Sequence, residues 1–101
     1  MTITSIALNI PSHTVAGQDE VRLVLGDALR HEAELADARR SYFEDACQGF
    51  EETYQMSSEE FMVRFEAGEL GDAADYFDWY AAKRGFNLWT RRAHILSEIT
   101  V

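Results

Sequence analysis

Between Gln18 and Tyr54 apolar residues recur at spacings of three and four: Val21, Leu25, Ala28, Leu29, Leu35, Ala36, Tyr42, Phe43, Ala46, Phe50 and Tyr54. No proline interrupts this run, and only Gly26 and Gly49 weaken it, so it predicts one long helix over 18–55. The stripe thins between Arg30 and Ser41, which predicts a middle that is exposed or that packs on a partner through long polar side chains. Glu32 and Arg39 fall where an a/d seam wants apolar residues, so a coiled coil along this stripe is a weak expectation.

Ahead of the helix the period changes to two. Ile6, Leu8 and Ile10 alternate with Ala7 and Asn9 until Pro11, the pattern of a half-buried strand over 2–10, followed by a polar connection to residue 17. A lone strand leaves its backbone donors and acceptors unpaired. Ile6, Leu8 and Ile10 are therefore candidates for pairing with a strand of a second copy or of another protein.

After the long helix the signals are punctuation. Ser57 can accept a backbone N–H at a helix start while Glu60 reaches back to the cap, and Met56 and Phe61 sit where a hydrophobic staple packs, so a short helix begins at Ser58. Gly68 supplies the left-handed conformation that ends it. Gly71-Asp72 opens the last helix, with Asp72 as N-cap and a span from about Ala73 to Ile95 or beyond. In that helix Phe77, Tyr80, Ala81, Arg84, Leu88, Ile95 and Ile99 form one broad face, Trp79, Phe86 and Trp89 lie to its sides, and Gly85 weakens the middle. The expected fold is mainly α, a single domain over 1–101. Residues 1–17 supply the strand and connection, 18–55 the long helix, and 57–101 a short and a C-terminal helix that fold back as a helical hairpin near Tyr42, Phe43, Phe50 and Tyr54. Some of Tyr76, Trp79, Tyr80, Phe86 and Trp89 should line a binding surface, since Trp and Tyr concentrate in interface hot spots; the competing expectation is that they form the core.

Charge narrows the partners. The chain has 101 residues, 18 acidic and 9 basic side chains and a net charge of −9, a field that repels phosphate backbones and favours a basic protein partner. From Trp79 onward the sign reverses: Lys83, Arg84, Arg91 and Arg92 face only Glu98. Those cations complement a helix C-terminus or form a small basic patch. The one cysteine, Cys47, excludes an internal disulfide and fits a reducing compartment, with the thiol expected in the core. No apolar run reaches the 18 or so residues of a membrane span and no basic leader precedes one, so a soluble, cytoplasmic protein without membrane contact is expected.

Recognisable chemistry is sparse. His13, His31 and His94 are far apart and no C-x-x-C or H-x-x-x-H occurs, so no metal is expected. Neighbouring acids such as Glu51-Glu52 and Glu59-Glu60 diverge by about 100° on a helix and do not make a dyad. Glycines never take phosphate-cradle spacing. Neither a cofactor nor catalysis is expected.

The segment Phe50-Glu51-Glu52-Thr53-Tyr54-Gln55-Met56-Ser57-Ser58-Glu59-Glu60-Phe61, continuing through Gly68-Glu69-Leu70-Gly71-Asp72 to Phe77-Asp78-Trp79, resembles small bacterial and archaeal antitoxin-like proteins of toxin–antitoxin modules. It covers about a third of the chain. The resemblance implies a protein that binds and neutralises a cognate toxin, often a ribonuclease, with Trp79, Tyr80 and Phe86 as anchors and Asp72, Asp75 and Asp78 as contacts to basic toxin residues. For these acids the alternative is that they favour a helix dipole. A homodimer is expected because the strand and the patchily apolar long helix leave surface that one copy cannot satisfy; the resemblance adds autoregulation of the operon, but operator DNA is not favoured, because no lysine or arginine flanks the strand to neutralise phosphates. The alternative function is a self-associating helical structural or adaptor protein.

Overall fold

The uninterrupted run of helix formers becomes α1 (Gln18–Tyr54), 37 residues and so about 55 Å long. In the computed structural model, which describes residues 9–10 and 17–101, it is followed by α2 (Ser58–Glu66) and α3 (Ala74–Ser97). α3 returns antiparallel along α1: Tyr54 meets Trp79, Phe43 meets Gly85, Arg39 meets Trp89 and Gly26 meets Val101. The result is a helical hairpin in an envelope of 60 × 22 × 21 Å, with α2 wedged at the end where the chain turns. The strand expected over 2–10 falls outside the described residues except for Asn9 and Ile10, which have no regular structure; among the described residues there is no strand.

The turns explain the boundaries. Gln55 ends α1 in the left-handed conformation, φ 53°, and its N–H donates to the Glu51 carbonyl. Ser57 caps α2 as expected, its Oγ accepting from the Glu60 N–H at 3.1 Å. The reciprocal half of the box does not form. Glu60 turns instead to Arg64 at 2.9 Å, while the first N–H inside the helix, that of Ser58, donates to the Glu51 carboxylate from α1 at 2.8 Å, a tertiary bond that ties α2 to α1. α2 closes with Gly68 at φ 75°, the Gly68 N–H donating to the Phe65 carbonyl and the Glu69 N–H to that of Arg64, a complete Schellman pair. Asp72 does not cap α3: the cap is Ala73, without a side-chain bond, and the helix starts one residue later than its sequence suggests.

The core gathers at the turning end. Phe61 lies flat on the Trp79 indole, centroids 4.0 Å apart and planes 8° apart, and Phe50 and Tyr54 stack near it at 5.7 Å each. The Trp79 Nε1–H donates to Ser58 Oγ at 2.9 Å, so the one polar atom of the indole is satisfied inside the core. Cys47 and Ala82 complete this cluster, the thiol buried as expected. The thin middle of the α1 stripe is covered by α3 itself. Ala36 is buried there, and the Arg39 guanidinium sits 4.5 Å from the Trp89 ring centroid, with Arg92 at 5.0 Å from the same ring.

Candidate protein-binding surface

The aliphatic face of α3 points the other way from the sequence expectation. The side against α1 is Trp79, Ala82, Phe86, Trp89, Ala93 and Leu96, buried or half-buried, while Phe77, Ala81, Arg84, Leu88, Arg91 and Ile95 are all exposed. The physical reason lies in Ala82 and Gly85. These small residues let α1 approach so closely that a Cβ on Gly85 would stand 2.9 Å from three atoms of the Phe43 ring. Helix approach on that side buries the Trp79 indole and half-buries that of Trp89, more apolar area than Leu88 and Ile95 could bury on the other.

This rotation scatters the residues expected to bind. Trp79 is 0% exposed and is withdrawn as an anchor, since a partner cannot reach it. Tyr80 is half-buried against Phe65, 5.1 Å between centroids, with the Arg84 guanidinium 5.7 Å from its ring. Phe86 is half-buried under Lys83 Nζ, 4.9 Å away, on a different side of α3, six residues and hence about 120° from Tyr80. Asp75 is exposed but holds the Tyr54 hydroxyl at 2.7 Å, a bond that raises the Tyr54 pKa. Asp72 and Asp78 are exposed. Ile6 and Leu8 lie outside the described residues, and Ile10 is half-buried.

Two grooves flank the α1–α3 seam near the turning end, and they differ in chemistry. One, of about 150 Å³, is lined by Glu44, Glu51, Glu59, Lys83, Cys47 and Phe86. Its Lys83 is buried, and the amine donates to the exposed Glu59 at 2.8 Å and lowers that carboxyl below its usual range. Burial raises the Cys47 thiol, so it is held neutral beside these groups. Every charge in this groove that is buried is paired, which makes it a clamp on α2. The other groove, of about 280 Å³, is lined by Tyr42, Phe43, Ala46 and Phe50 from α1 and by Ala81 and Ala82 from α3, with Asp78 at its rim. It is apolar, floored by small side chains, and flanked by Tyr42, which is 69% exposed.

A third feature belongs to α1 alone. Glu20, Asp27, Glu34, Asp45 and Glu52 are all exposed and fall within about 40° of one another on the edge opposite the core, a line of carboxylates about 48 Å long. Of these only Asp27 has an ion pair among the described residues, with Arg30 at 2.8 Å. The cations Arg84, Arg91 and Arg92 have no ion pair among the described residues either.

The apolar groove and the acidic edge were missed in the sequence, because both are interleaved with residues that serve the core. The seven-residue recurrence of Glu20, Asp27 and Glu34 was the available signal for the edge, and the Ala81–Ala82–Gly85 cluster for the groove. Among the described residues no group of three or more His, Cys, Asp or Glu is placed to hold a metal, and no helix is long and apolar enough to cross a membrane. No protein-family model, curated protein or solved structure matches the chain.

Proposed function

We propose that this chain is a non-catalytic binding protein of the antitoxin kind, which neutralises a small basic toxin, such as a ribonuclease, by laying an acidic helix over its substrate groove. The observation that carries the reading is the acidic edge of α1, whose exposed carboxylates, all but Asp27 without an ion pair among the described residues, run straight for most of the helix. A nuclease groove is a line of cations spaced to match phosphates, and anions held on a preformed helix complement it with no backbone left to order on binding. Such steering raises the association rate, and neighbouring contacts, with Asp72, Asp78, Tyr80 and Phe86 as the candidates, then slow dissociation. In this role the protein works in the cytoplasm beside the toxin's target.

The test begins with whether a small basic protein is encoded beside this chain, and proceeds by co-expressing the two. Rescue of growth and co-elution of a stable complex are expected. Reversing Glu20, Glu34 and Glu52 to lysine should abolish rescue while the helical signal persists. Unchanged toxicity with no eluting complex would remove the antitoxin reading. The second reading, a self-associating helical adaptor, is favoured by the apolar groove, which has no bearing on a basic nuclease.

A further inference from the structure

The groove beside Tyr42 is one part of a continuous side of the hairpin. On α1, Val21, Val24, Ala28, Leu35 and Tyr42 follow spacings of three, four and seven and lie on the flank that leads into it; Val24 and Tyr42 are 60% and 69% exposed. On α3 the matching flank is Ala81, Gly85 and Leu88, two small residues followed by one exposed leucine. Tyr42 and Gly85 stand at the same height along the hairpin, because the neighbouring Phe43 ring rests on Gly85. One side thus carries an exposed knob, Tyr42, on α1 and, beside it on α3, a low apolar strip from Ala81 to Leu88 in which the Phe43 ring already covers Gly85. That is the requirement for an isologous pair, in which one patch is complementary to itself.

We infer that this side binds a second copy of the chain, forming a four-helix bundle in which α1 of each protomer lies across α3 of its partner and Tyr42 packs between Ala81 and Leu88 of the facing helix, over the Phe43 ring that covers Gly85. Charge selects this arrangement over its alternative. α1 carries ten acids against four arginines, a net −6, whereas the chain from Trp79 onward is net +3. A two-fold axis parallel to the helices sets each acidic α1 against the partner's basic α3, and it keeps heights matched, so that Asp45 faces the Arg84 side of the partner. A two-fold axis across the helices would stack α1 on α1 and bring like charges together. Arg84 and Arg91, unpaired within the described chain, would act as flanking residues do beside a coiled-coil seam. The core also leaves room for such a partner: α1 and α3 together fully bury no side chain larger than alanine beyond the turning end.

This pairing does not depend on the toxin reading, and it is tested on the full chain alone by sedimentation equilibrium across the micromolar range. A dimer is expected. Ala81→Glu and Tyr42→Ala, both at exposed positions, should each weaken it by about 30-fold, the loss typical of an interface anchor, with helicity by far-UV circular dichroism unchanged. Arg84→Glu should weaken it, and combining it with Asp45→Arg should restore association above either single variant. A monomer, a larger closed assembly, a dimer indifferent to both Ala81→Glu and Tyr42→Ala, or a charge-swapped pair no tighter than its parts would each overturn the proposal. Rescue from a toxin, or its absence, leaves these outcomes untouched.

Discussion

The two ends of the hairpin are built on different principles. At the turning end three helices meet, and Phe61, Trp79 and Ser58 are almost wholly buried with every side-chain polar atom there paired. At the far end two helices run side by side, only Ala36 is buried along that stretch, and Leu29, Ala33 and Leu96 are half-covered along a groove that closes on Gly26 and Val101. A third element is what makes the difference. Two helices can bury only the stripe between them, whereas α2 roofs that stripe and brings Ser58 and Phe61 onto the indole. The lesson is that stability in this chain is concentrated at one end, while the other end and the sides are left with apolar surface for other molecules.

Removing the keystone should have the largest effect. Trp79→Ala is expected to cost about 3–5 kcal/mol, seen as a lowered urea midpoint, because it deletes the largest buried side chain and strands Ser58 Oγ. If the loss were no larger than that of Leu29→Ala at the far end, the contrast between the ends would fail. Next is Gly85→Ala. Its Cβ would press on the Phe43 ring, and the expected overpacking of about 1–3 kcal/mol exceeds the helix-propensity gain of up to about 1 kcal/mol. In a Phe43→Ala background the same change should become neutral or stabilising, a double-mutant cycle that separates close approach from propensity. Ser57→Ala should cost about 1 kcal/mol by loss of the α2 cap, whereas Asp72→Ala, at a position that does not cap α3, should be near neutral in the same melts.

The smallest expected effect depends on pH. Lys83 lowers the folded-state pKa of Glu59, so this carboxylate contributes stability above its unfolded value, near pH 4.3, and the contribution fades as pH falls through the lower folded value. Glu59 is largely exposed, which limits the effect to a fraction of a kcal/mol. Glu59→Gln should therefore be slightly less stable than the parent at neutral pH, and the gap should close once pH has fallen below the lowered folded value of Glu59. A gap between the two curves that persisted at low pH would assign Glu59 a role other than its charge.

Much of the architecture was legible without coordinates. The extent of α1, the Ser57 cap, the start of α2 at Ser58 and the Gly68 stop all follow from local chemistry, and all stand in the structure. Local chemistry also misled: Asp72 resembles a cap but lies one residue outside the cap position, and Glu60 resembles half of a capping box but is drawn to Arg64. The candidate anchors were the least legible. Exposed and buried aromatics look alike in a sequence, and Trp79, Tyr80 and Phe86, grouped there, occupy the core and two different sides of α3.

By itself, the order of residues determined where helices run and stop, because propensity, capping and glycine conformations act within a few residues. Which face of α3 turns inward was a tertiary decision. Both of its faces are apolar enough to pack, and the choice rests on contacts between residues far apart in the chain: Gly85 admitting Phe43, and Ser58 accepting the Trp79 indole N–H. That choice left Phe77, Leu88 and Ile95 outside, and with Leu88 part of the side on which the pairing proposal rests.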